Sequence, residues 1–502
     1  MKKNQRKSGA VLSYVSIIVN TLVQLLYTPF LISKLGQSEY GLYSLINSII
    51  GYLTVLDLGF GNAIIVYTAK YRAQERYDDE KKLHGMFRIV FLIIGIIAAI
   101  LGFLLFLNVD NMFGKTMTGR ELNEARIMML ILSFNLFITF QFSIYSSIIS
   151  AYEKFTFQKI MSIVNTLIKP LIMIPLLILG YKAIAMTIIL TIANIVVIAS
   201  NFLFCRRKLN INIRFLGFDK KLFKTILKYS IWIFLAVIVD KVNWSVDQFV
   251  LGAVSGTVAV SIYSAAGTVN HLFINLSTAI NTVLLPKMSK MVAKKASNED
   301  ITREFIKVGR IQYFIIFLMC SSLVLFGKEF FLAWLGKKYI NSYYIAMILI
   351  IPLCIPLIQN LGISIMQAKN MHRFRSIILF LISIINVVIS IPLAKIYQGI
   401  GSAIGTSLSL IIGNVIIMNI YYYKKVGIDV IKFWKTIIKM SIPFVIPVII
   451  AIILKNTIIL HGYYHVIVFG GIYLLLYLLI CYLFIMNEYE KNIFGSILRK
   501  RR

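Results

Sequence analysis

Residues 159–180 read KIMSIVNTLIKPLIMIPLLILG, an apolar run with one cation, Lys169, near its middle. About twenty such residues, wound as a helix, cross the hydrocarbon core of a bilayer. An ionised side chain at mid-depth costs roughly 3 kcal/mol on insertion scales, so it persists only where it faces protein or a wet cavity. The same pattern recurs outward along the chain. Residues 230–252, SIWIFLAVIVDKVNWSVDQFVLG, carry Asp240 and Lys241 at their centre, and residues 56–63, LDLGFGNA, carry Asp57. The spacing predicts membrane helices that line something polar.

Composition agrees. With 59% hydrophobic and 14% charged residues over 502 positions and a mean hydropathy of +0.83, the chain lies outside the range of soluble domains and reads as an all-α polytopic membrane protein. A formal charge of +32 would suggest nucleic acid in a soluble chain. Here the basic residues sit in short loops between apolar runs, where they set orientation and meet anionic lipid, and no nucleic acid is expected. Cys205, Cys320, Cys354 and Cys481 lack metal-ligand spacing and are expected as free thiols. The basic start MKKNQRKSGA precedes an apolar run too long for a signal peptide, so it is expected to remain as the first helix.

Windows of about twenty apolar residues predict about fourteen helices, near 11–33, 41–68, 85–107, 126–150, 158–181, 184–205, 226–251, 258–284, 308–327, 341–366, 375–394, 400–422, 436–455 and 463–486. Most of the 52 Lys and Arg fall in every second loop, counting from the N-terminus. A cell-membrane protein with both termini cytoplasmic is expected. The segment 35–65 echoes 255–285, and 150–185 echoes 367–403, at offsets of roughly 216–220 residues, which reads as a parallel repeat of six helices. The expected organisation is an N-terminal lobe at 1–208, a cytoplasmic connector at 209–225, a second lobe at 226–425, and two extra helices with a basic tail at 426–502.

No motif for covalent chemistry is present: there is no Walker loop, no zinc spacing and no Asp-x-Asp pair, so a carrier is expected rather than an enzyme. Lys169 precedes Pro170, which removes a backbone hydrogen bond and bends the helix; cavity lining competes with snorkelling to the interface. Asp240 and Lys241 point about 100° apart on a helix and cannot pair well with each other. Asp247 shares the face of Asp240, in a stripe with Asn243 and Trp244. Asp57 precedes Gly59 and Gly61, which permit an unwound turn or close helix approach; an acid there could bind a cation or be satisfied by Lys169. Arg88 and Arg310 lie near the cytoplasmic ends of their helices, where vestibule lining competes with topology signals.

The segments Leu35–Gly41, Leu56–Gly61 and Asp247–Gly252, with Leu285-Pro286, resemble those of the Wzx-type polysaccharide flippases of the multidrug/oligosaccharidyl-lipid/polysaccharide exporter superfamily. The resemblance implies two six-helix lobes in a V around a cationic cavity, plus two C-terminal helices. It implies alternating access and export of an undecaprenyl-pyrophosphate-linked oligosaccharide repeat unit to the outer leaflet. The family's cationic cavity finds its match in Lys169 and Lys241, to which the reading of single charges adds Arg310 and Arg88 as candidate substrate contacts, and coupling to H⁺ or Na⁺ would fall on Asp57, Asp240 or Asp247, with no other cofactor. Membrane lipids, a polysaccharide polymerase and glycosyltransferases are the further partners implied. Two other readings stay open: an organic-cation antiporter of the same superfamily, which would want mid-depth acids in excess of bases, and a non-transporting scaffold of a biosynthetic complex.

Overall fold

A computed structural model describes residues 2–215, 217–369, 371–457 and 462–492. Among them the regular structure is helical throughout. In chain order the helices are α1 (Lys2–Leu53), α2 (Phe60–Ala73), α3 (Tyr77–Leu107), α4 (Val109–Phe113), α5 (Gly119–Ala151), α6 (Phe155–Ile178), α7 (Ala183–Lys208), α8 (Lys220–Ser255) and α9 (Thr257–Ala293). They continue as α10 (Asn298–Leu335), α11 (Ile340–Ile358), α12 (Leu361–Ala368), α13 (His372–Leu410), α14 (Met418–Tyr421), α15 (Val430–Ser441), α16 (Val445–Thr457) and α17 (Gly462–Ile480).

Eleven stretches among the described residues are long and apolar enough to cross a membrane. Two of them, Val15–Ala73 and Arg373–Val426, run to 59 and 54 residues, far beyond the ~20 that one crossing needs. Each contains a break. Gly36 (φ 78°) interrupts α1 and Gln398 (φ 51°) interrupts α13. In a continuous helix Leu393 and Gly401 would lie about 12 Å apart along the axis, yet a Cβ on Gly401 would fall 2.0 Å from the Leu393 carbonyl oxygen. The chain therefore reverses near Gln398, and only glycine fits where its arms meet. Helix α8, expected as the seventh crossing, is one helix of 36 residues but is not among the eleven. The number fourteen remains a sequence expectation.

Helices α5, α8, α10 and α15 begin where the sequence supplies a side-chain acceptor for their orphan amides. Thr118 and Glu121 form a reciprocal capping box on α5; Asp219 caps α8 through the Leu222 amide at 2.9 Å, and Ser297 caps α10 through Asp300 at 3.1 Å. Packing then follows membrane logic. On α3, Ile93, Ile96, Ile97, Ile100, Phe103 and Leu107 form an exposed stripe at helical spacing, which a bilayer but not water would accept. The opposite face presents Gly95, Ala98 and Gly102. A Cβ on Gly102 would lie 2.1 Å from Ser133 Oγ of α5, and one on Gly95 2.8 Å from Gln141 Nε2. Small residues thus let two helices approach where lipid offers no hydrophobic drive.

Packing divides the chain into two compact units. One holds the described residues up to Ser264 together with Val387–Ser402, and the other holds Ala265–Asn386 with the described residues from Ala403 onward. The lobes at 1–208 and 226–425 are a separate division, drawn from the repeat rather than from packing.

Candidate functional site

Several polar groups inside the apolar helices of the first unit lie against α1. Its second half packs antiparallel to α8: Leu45 meets Gly252, the Ser48 hydroxyl donates to the Ser245 carbonyl at 3.1 Å, and Gly51 faces the Lys241 ammonium. A Cβ on Gly51 would stand 3.8 Å from Lys241 Nζ, so the cation lies against nearly bare backbone. Beyond Gly51 the helix unwinds into the turn Thr54–Asp57, which α8 also touches. Leu58 (φ 53°) and Gly59 (φ 74°) are both left-handed, and the chain restarts as α2. The unwound turn that Gly59 and Gly61 permit is thus what forms. Asp57 accepts the Gly61 amide of the first turn of α2 at 3.4 Å; it is not paired with Lys169.

The first half of α1 meets α6, where Ser16 and Ser162 hydroxyls lie 3.5 Å apart. Helix α6 carries a polar stripe that the reading of single charges passed over. Gln158, Ser162, Asn165 and Lys169 recur at i, i+4, i+7 and i+11 and share one face. The signal was available as polar residues with helical period inside an apolar run. Gln158 is held by the Ser146 carbonyl of α5 at 2.8 Å, whereas Asn165 Oδ1 is buried without a hydrogen-bond partner. Such a group costs about 1–3 kcal/mol unless something meets it. Lys169 and Lys241 are both partly buried, and neither has a hydrogen-bond or ion-pair partner among the described residues.

The remaining predicted residues take different positions. Asp247 is 2% exposed, accepts the Ser402 hydroxyl at 2.6 Å and accepts the Tyr263 hydroxyl; neutral hydroxyls thus gather on a carboxylate within one unit. Asp240 lies in α8, but its side chain falls outside the described residues, as do those of Asn243 and Trp244. Arg310 is committed elsewhere: Nε and Nη2 bind Glu490 bidentately at 2.6 and 2.8 Å, and Nη2 also reaches the Ile485 carbonyl at 2.9 Å. It ties α10 to the chain that follows α17. Arg88 on α3 donates to the Tyr145 hydroxyl at 2.7 Å and lines a separate cavity. Among the described residues no three His, Cys, Asp or Glu side chains converge as a metal site would require.

The first unit thus holds two cations without a hydrogen-bond or ion-pair partner among the described residues and one carboxylate met by two hydroxyls. Comparison with known proteins agrees with the helical pattern. Residues 7–292 match the family model described as "Polysaccharide biosynthesis protein". A Shigella flexneri protein described as "Putative O-antigen transporter" is 21% identical over 371 residues, covering 72% of this chain and 84% of that protein. Among solved structures, the lipid II flippase MurJ in an inward closed conformation aligns with a TM-score of 0.73 at 19% identity, covering 95% of this chain and 98% of its own. An inward-facing multidrug resistance MATE transporter of the MOP superfamily aligns at 0.63 and 14% identity, covering 81% and 96%. These relatives carry the names of transporters and a flippase, not of enzymes. The chain, a multi-pass membrane protein with the all-helical fold of MurJ, therefore belongs to the polysaccharide biosynthesis protein family.

Proposed function

We propose that this protein is a flippase that carries a polyprenyl-pyrophosphate-linked oligosaccharide from the cytoplasmic to the outer leaflet of a bacterial cell membrane, by alternating access. The observation that carries the reading is that Lys169 and Lys241 are held in apolar helices of one unit without counter-ions among the described residues. A pyrophosphate cannot enter hydrocarbon unaided, because its desolvation is prohibitive. Ammonium groups in a partly dry cavity replace its water with charge-assisted hydrogen bonds. Lysine holds phosphate less directionally than arginine, which suits a carrier that must let go. Family membership, the name of the Shigella flexneri relative and the MurJ-like fold support the substrate class.

In this reading Asp57 and Asp247 are the acids through which an ion gradient drives the cycle, Asp57 beside an unwound turn and Asp247 within a hydroxyl cluster. Both termini and the connector face the cytoplasm, so a cysteine placed at Asn212, an exposed connector position, is labelled by an impermeant maleimide in inverted vesicles and not in intact cells. The deciding experiment is leaflet translocation of a lipid-pyrophosphate oligosaccharide in proteoliposomes. Parent protein is expected to move it, faster under an inward H⁺ or Na⁺ gradient. Absence of movement in vesicles that retain folded protein would leave a scaffold as the better account.

A further inference from the structure

Two arginines of the first unit, Arg88 and Arg206, line a cavity of their own. Helices α3, α5 and α7 and the connector residues 211–215 enclose a cavity of about 540 Å³, a size suited to a small polar ligand. Its lining includes two guanidinium groups, Arg88 and Arg206, and no carboxylate. Arg88 is oriented by the Tyr145 hydroxyl at 2.7 Å. That phenol is itself braced edge-on by Phe202, ring centroids 5.1 Å apart. Arg206, in the last turn of α7, makes no hydrogen bond or ion pair among the described residues. The connector forms the outer wall and is pressed close: a Cβ on Gly85 would fall 2.3 Å from the Arg214 carbonyl oxygen. Two like charges on one cavity repel each other, and an anion placed between them converts that repulsion into attraction.

The surroundings say which anion. Leu92 lines the cavity and is exposed, and it leads into the exposed apolar stripe of α3, while Leu203 of α7 is exposed beside Phe202. A charged floor opening onto lipid-facing walls fits an amphiphile, with its phosphate inside and its chains along α3 and α7. Basic pockets between membrane helices hold lipid headgroups by this arrangement. We propose that the Arg88–Arg206 cavity binds the headgroup phosphate of an anionic phospholipid of the surrounding bilayer, apart from Lys169 and Lys241.

The test uses the purified full-length protein in detergent, with bound lipid read by native mass spectrometry. Phosphatidylglycerol is titrated, with phosphatidylcholine, inorganic phosphate and undecaprenyl pyrophosphate as separate arms. Phosphatidylglycerol is expected to be retained over phosphatidylcholine. Arg206→Gln, which removes no hydrogen bond or ion pair among the described residues, and Arg88→Gln are each expected to weaken it roughly tenfold, the scale of a lost charged hydrogen bond. Lys169→Ala is expected to leave it unchanged. Undiminished phosphatidylglycerol binding by Arg206→Gln would overturn the proposal. Displacement of the lipid by millimolar inorganic phosphate would overturn it in favour of a soluble anion, and Arg206-dependent binding of undecaprenyl pyrophosphate alone would make the cavity part of the substrate path.

Discussion

Arg310 gives the sharpest separation between a residue that binds substrate and one that holds the fold. The side chains of Arg310 and Glu490 are 15% and 3% exposed, with two hydrogen bonds between them at 2.6 and 2.8 Å. Solvent screening is therefore small, and removing one partner strands the other as a buried charge. Glu490→Ala and Arg310→Ala are each expected to cost about 3–5 kcal/mol, whereas Arg310→Met with Glu490→Leu, which removes both charges and keeps volume, should return most of that loss. The coupling energy in this cycle should reach about 2 kcal/mol or more. Unfolding midpoints in detergent measure the stability arm, and proteoliposome translocation measures the functional arm. If the contact is structural, the double variant recovers flipping together with stability. Restored stability with flipping still lost would show that Arg310 touches the substrate and would refute the reasoning.

Three further outcomes are expected. Lys169→Ala and Lys241→Ala should each abolish translocation while membrane levels hold, and Arg at either position should restore it only in part; polymer export in cells checks both. Gly102→Leu should destabilise the protein by about 1–3 kcal/mol through overpacking, because its Cβ would fall 2.1 Å from Ser133 Oγ; the unfolding midpoint reads this, and Gly267, with nothing within 4 Å of a Cβ, should tolerate Ala as the control. One of Asp57→Asn and Asp247→Asn should keep substrate binding yet lose stimulation by the gradient, since an ion drives a conformational cycle only through differential affinity for its states; an unchanged gradient response in both variants excludes coupling through these acids.

The sequence by itself determined the solvent and the class of element. Apolar runs of bilayer length leave the backbone no partner but itself, so helices follow from composition alone, and the absence of catalytic motifs pointed to carriage rather than reaction. It also marked the residues that pay for being there: Lys169, Lys241 and Asp57 were conspicuous because a charge in hydrocarbon is costly wherever the helix turns. What each charge faces was decided only in three dimensions. Partners lie far away along the chain, as Glu490 does for Arg310 and Ser402 for Asp247, and no local pattern encodes a contact across 155 or 180 residues. The reversal at Gln398 and the cavity between Arg88 and Arg206 depend likewise on which glycines meet which backbone, a matter of helix approach measured in tenths of an ångström. Periodicity fixes a residue's face on its own helix, and tertiary packing alone decides whether that face meets a counter-charge, a neighbouring backbone or lipid.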